Sequence, residues 1–257
     1  MHWLRYYLQA SHSKGHGIHS PFVFEFVSKV LNDTREYYAY AMIESLKKEL
    51  LLDTRILPVT DYGAGSFQNG SPEKRISDIA FNAVSGRKFG RLLFRLANYY
   101  RAKNIVELGS SLGISTAYLA SADLSSHVFT MEGSAAIATI ARENFIKLKL
   151  NNISQVTGPF DDHLPMLIDS NPAADLVFID GNHRKKPMLN YFEAFIHKIP
   201  CPALLIIHDI HWSKEMEEAW SEIQEHPSVK MSIDIFSAGL IFFRNEFQVK
   251  QQFIIRF

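Results

Sequence analysis

Cysteine is almost absent from this chain: Cys201 is the only one in 257 residues. A single thiol excludes an internal disulfide framework and any cysteine-rich zinc site, and it fits a reducing compartment. No apolar run approaches the roughly 18 residues that a membrane span requires. The opening stretch MHWLRYYLQASHSKGHGIHS lacks the uninterrupted apolar core of a secretory signal. These absences predict a cytoplasmic protein with no membrane partner. An excess of charge of either sign is missing too, since 27 basic and 27 acidic side chains balance to zero. A general polyanion binder carries a basic face, so nucleic acid is not an expected partner. No internal repeat or low-complexity segment interrupts the sequence. What remains, with 47% hydrophobic and 21% charged residues, is an ordinary globular composition able to bury a large core.

The segment that says most is 104–118, NIVELGSSLGISTAY. An apolar run (Ile105, Val106, Leu108) leads past Glu107 into Gly109 and Gly113, and then into the helix-compatible Ile114-Ser115-Thr116-Ala117-Tyr118. That order predicts a buried strand, a tight glycine turn and a helix N-terminus. Such a construction offers backbone N–H groups and the positive end of a helix dipole to a ligand. Further strand patterns at 127–132, 153–158, 174–180 and 203–209 alternate with helical patterns at 114–122, 134–149, 162–169, 187–199 and 213–225. The alternation predicts βαβ units, a parallel sheet and right-handed crossovers. Residues 229–236 and 239–244 are two more strands, joined by only Ser237-Ala238. That link is too short for a parallel crossover, so an antiparallel hairpin is predicted.

Upstream of residue 100 the reading is different. Residues 22–31 and 36–52 carry apolar side chains at mixed spacings of three and four, which predicts helices. Residues 61–72 form a loop by composition, and 73–100 reads as helix with a break near Ser85-Gly86. Within the loop, Tyr62-Gly63-Ala64-Gly65 imitates a glycine turn. No strand ending in an acid follows about twenty residues later, so a surface turn and a lid are equally good readings.

In a doubly wound sheet, ligands sit beyond the carboxyl ends of the strands. Here those ends read Glu107-Leu108-Gly109, Glu132, Gly158-Pro159-Phe160-Asp161, Asp180-Gly181-Asn182-His183 and His208-Asp209. A purely structural sheet needs no such convergence of acids. Glu132 lies 23 residues after Gly109, the separation of an acid that accepts hydrogen bonds from ribose hydroxyls at the end of the second strand.

Several of these motifs resemble those of the class I S-adenosylmethionine-dependent methyltransferases, above all small-molecule O-methyltransferases of the catechol and caffeoyl-CoA type. The likeness covers roughly residues 85–245 and is carried by VELGSSLGIST, TMEG, GPFDDHLPML, FIDGNH, the upstream Gly86-Arg87-Lys88-Phe89-Gly90 and the terminal hairpin. It implies an α/β, Rossmann-like doubly wound sheet of seven strands, five parallel plus the hairpin. A helical N-terminal cap over 1–80 would precede a cofactor-binding domain over 81–257. The implied cofactor set is Glu107, Gly109, Ser110, Gly113, Ser115, Glu132, Gly133, Phe160, Asp161 and Asp180. Gly109 and Gly113 would admit the methionine part, Ser115 its carboxylate, Glu132 the ribose, and Phe160 and Asp161 the adenine. Metal-dependent relatives hold a divalent cation such as Mg²⁺ with acids at the positions of Asp180 and Asp209 and an Asn at the next position. That Asn is Ile210 here, so the third ligand is missing, although two carboxylates with water can hold Mg²⁺ and His208 or Asn182 could assist. His183 falls where the family has a lysine base, and an imidazole can remove a hydroxyl proton near neutral pH. The expected catalytic residues are thus His183, Asp180 and Asp209, acting on a small-molecule acceptor.

Other features read more plainly. His2, His12, His16 and His19 crowd the start of the chain without a metal-ligand spacing, and form a polar arm. Ser20-Pro21 should cap and start a helix. Trp212 either walls an acceptor or anchors the next helix, and Trp220 packs. The Tyr37-Tyr38-Ala39-Tyr40 cluster lines a pocket or an interface, which leaves a homodimer open. Cys201 is read as inert. Two alternatives stand: a nicotinamide-dependent oxidoreductase, although the GxGxxG spacing is absent, and a cofactor-binding protein without activity, for which Ile210 is the support.

Overall fold

The computed structural model describes residues 6–8, 10–11, 19–60, 73–82, 86–170, 174–197 and 203–257. His2, His12, His16, the 61–72 loop, Ser85 and Cys201 lie outside the described residues. The chain divides into two units, Arg35–Asn171 and the pair Met1–Thr34 with Pro172–Phe257.

The middle of the chain builds the first unit from β-branched and apolar runs. Strands β3 (Asn104–Leu108), β4 (His127–Glu132) and β5 (Ile153–Thr157) pair in parallel, with Leu108 opposite Met131 and Glu132 opposite Thr157. Before them stand α2 (Tyr38–Leu52), the short antiparallel pair β1 (Ile56–Pro58) and β2 (Glu73–Arg75), α3 (Ile76–Asn82) and α4 (Arg87–Tyr99). The crossovers are α5 (Ile114–Ser121) and α6 (Ala135–Lys147), and α7 (Phe160–Ser170) follows β5.

Helix α5 is buried on nearly every side, because α2 and α4 cover the face that the sheet leaves open. Gly90 makes that approach close: a Cβ there would lie 2.3 Å from the Tyr118 ring. Arg91 ties α4 to α2, with its guanidinium 4.4 Å from the Tyr40 ring centre and hydrogen bonds to Glu44 (2.7 Å) and Glu36 (2.6 Å). Tyr37 and Tyr40 of the tyrosine cluster pack on Phe94.

The second unit opens with α1 (Pro21–Phe26), capped by Ser20 with Pro21 at its first position as expected. It runs on into a π-helical turn, Val27–Leu31. Phe22 and Phe26 pack edge-on against Phe242, at 4.9 and 5.5 Å between ring centres. Strands β6 (Leu176–Ile179) and β7 (Ala203–His208) are parallel, joined through α8 (Lys185–Ile196). After α9 (Lys214–Glu225), the predicted hairpin appears as β8 (Met231–Asp234) and β9 (Ala238–Phe243), with β9 antiparallel to β7. Gly239 of β9 lies beneath the Trp220 ring of α9, where a Cβ would come within 2.4 Å.

Two expectations need correction. The main sheet among the described residues is mostly parallel but has eight strands, not seven. The additional one, β10 (Gln251–Ile254), pairs in parallel with β8 on the side away from β9. Its first two residues are exposed glutamines, so no apolar run announced it. The expected 73–100 helix begins only at Ile76, because 73–75 pair with β1. At the other end of the chain order, Ser11 bridges Ile255, and the Tyr6 hydroxyl donates to the Ile255 carbonyl. No described helix is long and apolar enough to cross a membrane.

Candidate functional site

Two groups of the expected residues form distinct constellations, one in each unit. In the first, β3 ends in a turn that only unusual backbone angles permit. Gly109 (φ 102°), Ser111 (φ 46°) and Gly113 (φ 82°) all occupy the left-handed region. At Gly113 the restriction is doubled, since a Cβ would lie 2.5 Å from the Phe145 ring. Gly109 and Ser110 donate their N–H groups to the Met131 carbonyl (2.9 and 3.0 Å), and Gly113 caps the start of α5. Asn144 of α6 secures the turn by donating to Leu112 O at 2.8 Å.

Glu132 sits at the end of the neighbouring strand and is locked to that turn. Its Oε2 accepts from Ser111 N and its Oε1 from Ser134 N, both at 2.9 Å. Gly133, half-buried, follows directly, and Ser115 stands half-buried in the first turn of α5. Ser110 is buried. Phe160 and Asp161 open α7 one strand further along, after Gly158 turns the chain at φ 136°. Glu107 faces elsewhere. It is fully buried, and its Oε2 accepts from the Thr116 (2.5 Å) and Thr130 (2.6 Å) hydroxyls, which braces β3 against α5 and β4.

The second constellation stands at the carboxyl ends of β6 and β7. Asp180 and Asp209 come from these two strands, and two histidines flank them. His208 Nδ1 lies 3.0 Å from Asp180 Oδ1 and 3.5 Å from Asp209 Oδ1. His183 Nε2 lies 3.7 Å from Asp180 Oδ1 and 4.0 Å from Asp209 Oδ2. The other ring nitrogen of His183 is buried with no hydrogen-bond partner among the described residues. Asp180, His183 and Asp209 each offer one donor atom within 4.8 Å of the others. Ile210 is fully buried and offers none. Asn182 is held at φ 50° and donates to the Tyr191 hydroxyl at 3.1 Å.

Charge follows from this packing. Burial opposes the positive form of His208, but the charge and hydrogen bond of Asp180, with the charge of Asp209, outweigh it and push its pKa up to about 9. Burial would raise Asp180, yet His208 and His183 hold it below the usual carboxylate range. Asp209 goes the other way, because burial, with repulsion from Asp180 adding to it, prevails over the pull of the two histidines. Trp212 is 66% exposed, with its ring centre 6.4 Å from that of His183. His211 instead bridges Glu217 (3.2 Å) and Asp234 (2.8 Å), a tie between α9 and β8.

The sequence reading missed what Ser111 does and, for His208, its hydrogen bond to Asp180. Ser111 gave no signal, since its contribution is a backbone N–H. His208 had one, a polar residue directly before the acid at the end of an otherwise apolar strand.

Comparison with known proteins places these features in context. Residues 106–210 match a family described as a methyltransferase domain. A catechol O-methyltransferase of Niastella koreensis is 33% identical over 123 residues, which is 47% of this chain and 54% of that protein. The chain thus spans about half the length of that curated relative. Among solved structures, cofactor-bound Rv0187 from MTB has a TM-score of 0.59 at 22% identity, over 87% of this chain and 97% of the other. SAH-bound PaMTH1, a Podospora anserina methyltransferase, has a TM-score of 0.61 at 14% identity, over 88% and 97%. A Bacillus cereus O-methyltransferase in complex with SAH gives 0.56 at 20%, over 87% and 97%. Likeness at these identities fixes the fold.

Proposed function

Starting from a chain whose residues 106–210 match a methyltransferase domain and whose fold is that of methyltransferases, we propose that it is an S-adenosylmethionine-dependent O-methyltransferase acting on a small molecule. The observation that carries this reading is the Glu132 carboxylate, locked by Ser111 and Ser134 beside a helix that starts at a left-handed glycine. An acid so fixed suits a ribose diol, and the start of α5 suits a carboxylate. In this reading Gly109, Ser110 and Gly113 line the methionine part and Ser115 binds its carboxylate. Gly133, Phe160 and Asp161 take the adenine side. Glu107 supports the turn from behind.

The bound sulfonium supplies an activated methyl group for in-line transfer, so the protein's tasks are alignment and proton removal. His183 Nε2 is the proposed acceptor of the substrate hydroxyl's proton, and Trp212 the wall against which an apolar or aromatic substrate rests. Asp180 and Asp209 fit a divalent cation such as Mg²⁺, which takes carboxylate oxygens and keeps several waters. That preference for oxygen leaves the His183 nitrogen free for proton transfer. Such a cation would orient the acceptor oxygen and favour its ionised form. Cytoplasmic placement belongs to the same proposal, and light scattering of the purified protein would report on a homodimer.

Calorimetric titration of S-adenosylmethionine into the wild type and Glu132→Ala tests the reading. Micromolar binding in the wild type and at least tenfold weaker binding in the variant are expected. Equal affinities, or no binding by folded ligand-free wild type, would overturn it.

A further inference from the structure

His208 is the least exposed group of the acid–histidine centre, at 7%, and nothing in the proposed chemistry uses it. It is the last residue of β7, one rung beyond the paired Ile179 and Ile207, which sets it beside Asp180 on the adjacent strand. Its ring is held edge-on to Phe178, 6.2 Å between centres with the planes at 73°. Ionised carboxylates only accept hydrogen bonds, so Nδ1 must carry a proton and donate it. The donor reaches Oδ1 of Asp180 at 3.0 Å, with Oδ1 of Asp209 beyond it at 3.5 Å. One imidazole N–H therefore faces the same-named oxygen of both acids and leaves the second oxygen of each for other partners. Asp209 is oriented from its backbone as well, at φ 55° with its N–H donating to Ser237 O at 2.7 Å. For the Asp180 side chain the one hydrogen bond among the described residues is that from the imidazole.

We infer that His208 is a positioning residue. It touches neither cofactor nor acceptor, and its Nδ1–H turns Asp180 and Asp209 so that their outer oxygens converge on one divalent cation. This role rests on the proposed reading that the acid pair holds such a cation. Partners that orient metal-binding side chains commonly alter metal affinity by about 10- to 100-fold when removed.

The test uses Mn²⁺ as probe, followed by its electron paramagnetic resonance signal during titration of the full-length protein. His208→Leu fills the buried space without a donor, whereas the amide of His208→Asn can place an N–H near the position of Nδ1. His208→Leu is expected to weaken Mn²⁺ binding at least tenfold, and His208→Asn to recover most of it. Circular dichroism and melting close to those of the wild type should report that both are folded, and S-adenosylmethionine should still bind both within a few-fold. Unaltered Mn²⁺ affinity in His208→Leu, or equal loss in both variants with cofactor binding intact, would overturn the assignment. Wild type that binds S-adenosylmethionine but no Mn²⁺ would overturn it together with the cation, while leaving the methyltransferase reading in place. Failure of that reading shows separately, as absent cofactor binding.

Discussion

Asp123 shows what one partly exposed carboxylate contributes and when it stops. Its oxygens accept from Lys103 Nζ at 2.5 Å and from the backbone N–H and hydroxyl of Ser125 at 2.8 and 2.7 Å. The lysine hydrogen bond foremost, then those of Ser125, hold its pKa down to about 2 from 3.8. A depressed acid stabilises the folded state above its unfolded pKa, and the contribution is lost as pH falls through about 2. Both partners are substantially exposed, so solvent screening limits the effect to less than about 1 kcal/mol. Asp123→Asn should therefore lower the urea unfolding free energy by a few tenths of a kcal/mol at pH 6, and by nothing measurable near pH 2. At the same scale, the sequence told which acids end strands but not which way they face. The 23-residue interval from Gly109 marked Glu132. Glu107, in an equally strand-terminal place, is covered by Thr116 and Thr130, contacts that exist only once β3, β4 and α5 are assembled. The influence of His208 on Asp180 likewise spans 28 residues and needs the register of β6 with β7.

Elements were legible wherever burial dictated composition. Leu176–Ile179 and Ala203–His208 are buried throughout and read as strands from their apolar runs alone. The terminal hairpin followed from the length of its link. Strand β10 was not legible, because an outer strand with exposed Gln251 and Gln252 carries no run to detect, and its function is to occupy the backbone groups of β8. The three-residue pair β1 and β2 escaped for a similar reason: one contains Pro58 and the other is Glu-Lys-Arg. Removing residues 249–257 should expose β8 as a bare edge and delete the carbonyl that accepts from the Tyr6 hydroxyl. The expected result is a lower melting temperature and greater light scattering on heating than for the full chain. Unchanged melting and scattering would show that β10 adds nothing to the sheet.

For the molecule as a whole, equal numbers of acidic and basic groups set the sequence pI near 7.2. Without net charge, repulsion between copies is weakest, so solubility should pass through a minimum near neutral pH and rise on either side. Turbidity of concentrated protein between about pH 5 and 9 at low salt measures this. The division of the chain into units also bears on how it is made. Residues 35–171 are continuous in sequence, whereas 1–34 belong with 172–257. Helix α1 cannot pack Phe22 and Phe26 against β9 until Phe242 has been synthesised. At about 5–20 residues per second, translation of the intervening chain takes roughly 10 to 40 seconds. Helix α1 thus waits for most of the chain to be made, and a ribosome stalled before β9 would present it as unsheltered apolar surface.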